Sequence, residues 1–296
     1  MTRQTPTVDD DIPLALRGDP EALERVLLAA QPLVFNLAMR MLGRREDALD
    51  ITQEVLLRVA THLSAYRRES LFSTWVYRIA VNALMDEKRA ATRRGRERSF
   101  TELAHDIEGG IDRLEAAGDA VDPVTPEHRL EAVELALVCT QGMLSALQGS
   151  LRLAYVLGEV MQFDGEEAAR IAGVSPVAYR QQLARARQAL RDFVEGHCGL
   201  VSSRARCTCD RQLRSLDERQ VAWLGHRPLS DGCAAPVLQD AVAQAGLRDI
   251  RRLQSAAQLF RAHPDYQVDG SMVHQVRERI EGTVFGSADR ARPLTH

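Results

Sequence analysis

Apolar residues recur every three or four positions along much of this chain, which is the spacing of amphipathic helices. Asp19-Pro20 predicts an N-cap followed by proline at the first helical position, and Gly43 predicts the end of that helix. The first two stripes are Leu23, Val26, Leu27, Leu33, Leu37 and Met41, and then Ile51, Val55, Val59 and Leu63. This pattern predicts an all-α fold.

A helix-turn-helix is predicted near residues 166–193. Gly173 and Val174 would make the turn, and Ser175-Pro176 would cap and begin the second helix. The buried line of that helix would be Tyr179, Leu183, Ala186, Leu190 and Phe193. A simple helical hairpin with a solvated basic face is the alternative.

Charge divides the chain, although the net charge is only −3 over 296 residues. Residues 88–98 carry six basic groups and one acid, whereas residues 101–134 carry ten acids and two arginines together with several glycines and prolines. The acidic stretch predicts a flexible, solvated linker. Alternatively, it mimics nucleic acid or lies in a basic channel of a partner. The predicted divisions are a helical domain (12–98), the linker (99–130), a second helical domain (131–196) and a cysteine-containing extension (197–296).

Several classes of protein are disfavoured by what the sequence lacks. No secretory signal is visible, and uncharged runs such as 26–39 are shorter than the roughly 18 residues of a membrane span. We therefore expect a cytoplasmic protein without a membrane partner. The sequence has no glycine-rich phosphate loop, G-x-S-x-G or H-E-x-x-H motif, so we do not expect an enzyme.

The helix after Gly43 carries an acidic and amide-bearing face that is a candidate for docking a protein. Its alternative is an ordinary solvated face. The candidate residues are Asp47, Asp50, Gln53, Glu54 and Leu57.

The next helix carries a candidate nucleic-acid face. Trp75, Arg78 and Asn82 share one face at spacings of three and four, where a ring can stack on a base, a guanidinium can meet phosphate and an amide can read a base edge. Arg89, Arg93 and Arg94 would supply phosphate contacts. Phe72 is better explained as a core residue, and core packing is also the alternative for Trp75.

The second helix of the helix-turn-helix offers base readers near its start and cations farther along, as a major-groove helix needs. The candidate DNA contacts are Ser175, Ala178, Arg180, Gln181, Arg185 and Arg187.

Three segments together resemble the extracytoplasmic-function group of the sigma-70 family of RNA polymerase sigma factors. They are EDALDITQEVLLRV, FSTWVYRIAVNALMDEKR and GEEAARIAGVSPVAYRQQLARARQAL. The resemblance implies that the first segment docks on the clamp helices of RNA polymerase core, the second opens and reads the −10 element, and the third reads the −35 element. It also implies promoter DNA as a partner and allows an anti-sigma factor.

The third segment departs from the family pattern. Val177-Ala178 replaces Gly-Thr, Tyr179 replaces Val, and Gln181-Gln182 replaces Ser-Arg. We therefore expect an unusual or weak −35 preference.

Cysteines mark the start of the extension. His197, Cys198, Cys207 and Cys209 lie close in sequence, with Cys233 farther on. Thiolates at this density suit zinc or Cu(I), although C-x-C is not the usual C-x-x-C spacing. A Cys207–Cys209 redox switch and inert cysteines are alternatives. No cofactor is expected to be required.

Two other functions compete with the sigma factor. A stand-alone helix-turn-helix regulator explains residues 166–191 but not 47–94 and would need a dimer. A metal-binding anti-sigma or adaptor protein would not need both basic surfaces. Beyond the cysteines, a helical stripe is predicted to pack on the other helices or on a partner; its residues are Ile250, Leu253, Ala257 and Phe260.

Overall fold

The structure, a computed structural model, describes residues 8–93, 99–118, 126–216, 260–261 and 265–288. Within these ranges the regular structure is entirely helical, as predicted. The α-helices are α1 (Val8–Ala15), α2 (Pro20–Leu42), α3 (Arg45–Thr61), α4 (Phe72–Arg93), α5 (Phe100–Ala116), α6 (Pro126–Ala146), α7 (Gly149–Tyr155), α8 (Gly165–Ala172), α9 (Pro176–His197), α10 (Cys209–Arg214) and α11 (Ser271–Ala288). A 3₁₀ turn covers Leu63–Ala65, and a π-helical turn covers Val156–Val160.

Helices α1–α4 form an N-terminal bundle around the predicted stripes. Asp19 caps α2 by accepting from the backbone N–H groups of Glu21 and Ala22, at 3.0 and 3.1 Å. Gly43 ends α2 in the left-handed region at φ 73°, where glycine has no steric penalty. Val26, Val55 and other stripe residues are fully buried. The caps and the apolar period therefore place these helices as the sequence predicts.

Helix α2 has the predicted bounds and is both long and apolar. By length and composition alone Pro20–Leu42 could cross a membrane, with a mean hydropathy of 1.3 in its most apolar window. More than half of that window is buried among other helices. A core helix of a globular protein meets the same criteria, and α2 contacts α1, α3 and α4 in this way.

The predicted flexible linker is wrong for residues 100–116, which form helix α5. Ser99 and Glu102 make a reciprocal capping box at its start. Ile107 and Ile111 are buried, and the Phe100 ring lies 5.0 Å from that of Phe193 in α9. The acidic and glycine-rich composition of this segment predicted a linker although the segment carries an apolar stripe. The arginines that pair with its acids lie about ninety residues later in the chain, so the sequence did not indicate them.

Helices α6–α9 form a second bundle that ends in the predicted helix-turn-helix. Asp164 caps α8 through two 2.9 Å bonds from backbone N–H groups. Gly173 makes the turn at φ 68°. Ser175 caps α9 by accepting from the Ala178 N–H at 3.2 Å. The predicted line of α9 is buried throughout.

The two bundles pack directly against each other. The Arg152 guanidinium is buried and donates to the carbonyl oxygens of Met41, Ser145 and Leu147. Thr74 Oγ1 of α4 donates to Glu167 Oε1 of α8 at 2.6 Å. The Arg152–Met41 and Thr74–Glu167 contacts join residues about a hundred positions apart, so the sequence did not reveal them.

The described parts of the C-terminal segment pack on both bundles. Asn36 of α2 donates to the carbonyl of Tyr266 and accepts from its N–H, at 3.1 and 2.8 Å. Phe260 is buried with its ring 5.4 Å from that of Tyr155, whereas Ile250, Leu253 and Ala257 lie outside the described residues.

Candidate functional site

The candidate protein-docking face lies on the accessible side of α3. Asp50 and Glu54 are exposed, and Asp47, Gln53 and Leu57 are half-buried. Arg44 lies 3.6 Å from the Asp47 carboxylate, and Glu54 pairs with Arg58 one turn later. The Asp50 carboxylate is exposed beside these pairs and is accessible to a partner.

The candidate nucleic-acid face of α4 combines a ring cluster with exposed polar groups. Trp75 is half-buried, with ring centroids 5.5 Å from Tyr66 and 5.9 Å from Phe72. Phe72 is buried, as the core interpretation predicted. Arg78 and Asn82 are exposed on the turns that follow Trp75. The cluster can support a stacked base beside a cation and an amide.

Tyr66 is a member of this cluster that sequence reasoning missed. It lies outside a helix, so helical periodicity could not assign it to the face of α4. The available signal was an aromatic residue followed directly by Arg67 and Arg68.

The basic residues after Asn82 are only partly described. Arg89 is exposed and pairs with Asp86 three residues earlier. Arg93 ends α4, but its side chain lies outside the described part of the structure, as does Arg94 entirely. Their predicted phosphate contacts stay predictions.

Helix α9 presents most of its predicted DNA contacts to solvent. Arg180, Gln181 and Arg185 are exposed, and Ala178 is half-buried. The Ser175 hydroxyl caps α9 by accepting from the Ala178 N–H, and this bond fixes where the helix begins. The beginning of α9 is therefore shaped and exposed as a recognition helix requires.

Arg187 differs from its neighbours because it is held by an acid that the sequence did not single out. Its Nε donates to Glu159 Oε1 at 2.6 Å, and Arg261 Nη2 lies 3.0 Å from Glu159 Oε2. Glu159 is buried in the π-helical turn before α8. A phosphate contact by Arg187 would require this side chain to leave Glu159.

The cysteine cluster gains a member that lies far away in sequence. Cys198 is buried, Cys207 and Cys209 are half-buried, and all three line one cavity with Cys139 of α6. Sequence spacing missed Cys139 because it precedes the cluster by about sixty residues. Cys233 lies outside the described residues.

His197 also lines this cavity but is engaged elsewhere. Its Nδ1 lies 2.9 Å from Glu108 Oε1 of α5, and its ring lies 4.9 Å from that of Phe193. Across the described ranges, no three His, Cys, Asp or Glu side chains stand in the geometry of an occupied metal site.

Burial sets the protonation of the thiols. It raises the pKa of Cys207 to about 12 and raises the pKa of Cys209 well above its usual value. It also raises the pKa of Cys198, against the opposing effect of backbone N–H donors. At neutral pH these groups are therefore thiols rather than reactive thiolates.

Comparison with known proteins identifies the N-terminal bundle. Residues 27–94, which run from α2 through α4, match the family Sigma-70 region 2. The match contains the acidic face of α3 and the aromatic and basic face of α4. Residues 27–94 are therefore a sigma-70 region 2, and the chain is similar to sigma factors of the extracytoplasmic-function group.

Similar sigma factors come from distant bacteria. The ECF RNA polymerase sigma factor SigE of Mycolicibacterium smegmatis is 32% identical over 164 residues, which cover 55% of this chain and 58% of that protein. SigW of Bacillus subtilis is 26% identical over 59% of this chain and 90% of its own length. The ECF sigma-E factor of Escherichia coli is 28% identical over 60% of this chain and 90% of its own length.

Proposed function

We propose that this protein binds RNA polymerase core and directs promoter-specific initiation of transcription. The observation that carries the proposal is the region 2 match over residues 27–94, which contains an accessible acidic face and an exposed Arg78–Asn82 face. The relatives are named RNA polymerase sigma factors. The chain itself performs no reaction in this proposal and acts in the cytoplasm.

The acidic face of α3 would contact the polymerase. Asp50 and Glu54 are exposed one turn apart, so a basic surface on the core enzyme could meet both. Charge complementarity of this kind speeds encounter and fixes the register of the complex.

The α4 face would open and hold the −10 element. Unstacking a base step costs a few kcal/mol. Stacking on an aromatic ring contributes about 1–3 kcal/mol per base, so the Trp75 cluster with Arg78 and Asn82 could offset that cost. Because Trp75 is half-buried, only part of its ring can contact a base. Arg78 and Asn82, which are exposed, would therefore contribute a larger share of the binding free energy.

Helix α9 would read the −35 element through Arg180, Gln181 and Arg185. Gln181 is exposed near the start of the helix, where a side chain can reach a base edge. An anti-sigma partner would act by covering either face. The stand-alone regulator and the adaptor both leave the region 2 match without a role.

Transcription in vitro tests the proposal. Bacterial core polymerase would transcribe a genomic promoter library with and without the full chain. We expect new start sites that share −10 and −35 motifs. A folded protein that produces no new starts would contradict the proposal.

Charge reversal tests the docking face. Asp50→Lys with Glu54→Lys should weaken core binding by at least about tenfold, because like charges would then oppose each other at the interface. The matched control reverses Asp192 and Glu195, which are exposed near the end of α9. Affinity measured by fluorescence anisotropy that stays at the wild-type value in the α3 variant would remove this face from the interface.

Alanine substitution tests the melting face. Arg78→Ala with Asn82→Ala should reduce permanganate reactivity at the −10 element while core binding is retained, because both side chains are exposed and make little contribution to packing. Arg17→Ala, which changes an exposed residue between α1 and α2, serves as the control. Wild-type melting by the double variant would show that these residues do not hold the opened strand.

A further inference from the structure

Four cysteines from three separate parts of the chain meet at one cavity. Cys139 comes from the middle of α6, Cys198 from the end of α9, Cys207 from the loop that follows, and Cys209 from the first turn of α10. The remaining lining is mainly apolar and includes Ile107, Leu135 and Met143. Apart from sulfur, such a lining offers few ligands to a hard cation.

The chain turns directly after Cys198. The N–H groups of Val201 and Ser202 both donate to the Cys198 carbonyl, at 3.1 and 2.9 Å. The turn keeps Cys198 at the cavity that Cys207 and Cys209 also line.

Gly199 allows the backbone after Cys198 to approach the backbone at Cys207. Its N–H donates to the carbonyl of Cys207 at 2.9 Å. A Cβ at position 199 would lie 2.3 Å from that carbonyl oxygen, which no side chain could tolerate. Only glycine therefore holds Cys198 and Cys207 at this separation.

We propose that Cys139, Cys198, Cys207 and Cys209 form a four-sulfur site for a zinc-class cation. Four thiolates suit the tetrahedral preference of zinc. The site differs from the set expected from sequence because Cys139 takes the place of His197, whose Nδ1 is held by Glu108. It is independent of the proposed role in transcription.

Binding requires the four thiols to lose their protons and close on the ion. The sulfurs are not yet in ligand geometry, and they would move inwards to about 2.3 Å from the metal. Each S–H proton passes to solvent as a sulfur–metal bond forms, so the four-thiolate complex with a divalent ion carries a net charge of −2.

The proposed site would connect elements that are otherwise joined by side-chain contacts alone. Cys139 belongs to the second bundle, and Cys209 begins the short helix α10. An ion bound to both would fix the extension to α6. Because metal and protons compete for the sulfurs, affinity should fall as pH is lowered.

Metal titration of the full chain tests the ligand set. The reduced, metal-free protein would be titrated with Co²⁺ as a spectroscopic probe and then with Zn²⁺ in competition with a chelator. We expect about one ion per chain and the absorption of tetrahedral cobalt with four thiolates. Cys139→Ser should weaken zinc binding by at least about tenfold, whereas His197→Gln and Cys233→Ser should bind as the wild type does.

Any of three results would overturn the proposal. They are the absence of stoichiometric metal binding, wild-type zinc affinity in Cys139→Ser, and loss of zinc binding in His197→Gln. Far-ultraviolet circular dichroism would verify that each variant is folded. Alkylation of the unsubstituted chain gives a second measurement, because zinc should protect Cys139 together with the other three ligands, and undiminished alkylation of Cys139 would also overturn the proposal.

Discussion

At the residue scale, Arg152 is the side chain that most directly joins the two bundles. It is 1% exposed, and its guanidinium donates to carbonyls of α2, α6 and the segment before α7. Buried carbonyl groups cost free energy when they lose their donors. A single arginine therefore satisfies backbone groups at the ends of two helices and fixes their relative position.

Replacing Arg152 should measure this contribution. Arg152→Met keeps much of the side-chain volume but removes every donor, so we expect the free energy of unfolding to fall by about 3 kcal/mol. Urea denaturation followed by circular dichroism would measure it. Arg191→Met, an exposed change on α9, should alter stability by less than about 0.5 kcal/mol. Equal stability of both variants would show that the guanidinium makes no net contribution.

At the scale of elements, α5 shows how an acidic helix is held in place. Arg206 binds Asp112 and Glu115 at 2.7 and 2.6 Å, and Arg211 binds Glu115 at 2.7 Å. These arginines lower the pKa of the Glu115 carboxyl. Because the pairs are solvent-exposed, each stabilises the helix only weakly, and the buried stripe and the cap carry more of its stability.

The capping box of α5 can be tested separately from its packing. Ser99→Ala removes the hydroxyl that accepts from the Glu102 N–H at 3.2 Å and should cost about 1 kcal/mol. Amide hydrogen exchange in residues 100–116 should then be about fivefold faster. Thr101→Ala, an exposed change in the first turn, is the control. Unchanged exchange in Ser99→Ala would mean that packing alone holds α5.

At the scale of the whole molecule, the observed packing restricts what the protein can contact at one time. A −10 and a −35 element are separated by about 25 base pairs, or ~85 Å of duplex at 3.4 Å per step. A compact chain of this length has a radius of gyration of about 19 Å and spans about 50 Å. With Thr74 bonded to Glu167, the two bundles are too close for both elements to be read together. If the chain reads both elements as proposed, the packed arrangement is that of the chain before it engages a promoter.

Separation of the bundles should be visible by energy transfer. Fluorophores attached by a chemistry that spares cysteine at exposed Arg17 and Arg191 should transfer strongly in the free chain. Transfer should fall when core polymerase and promoter DNA are added, as the bundles move towards sites ~85 Å apart. A pair at Arg17 and Thr61, both within the N-terminal bundle, should not change. Constant transfer between the bundles in an active complex would contradict this expectation.

The sequence by itself determined the local structure and the candidate surfaces. Caps at Asp19 and Ser175, glycine at positions 43 and 173 and the apolar period depend on residues a few positions apart, so helix ends and the helix-turn-helix could be predicted. The exposed polar faces of α3, α4 and α9 follow from the same period.

Only the tertiary structure decided which distant residues meet. Helix α5 escaped prediction because its arginine partners are about ninety residues away, and the place of Cys139 beside Cys209 depends on how α6 packs against α10. The Glu159 carboxylate is shared by Arg187 and Arg261, and no local pattern could indicate that pairing. Local hydrogen bonds and periodicity specify elements, whereas long-range contacts arise from the way those elements pack into a common core.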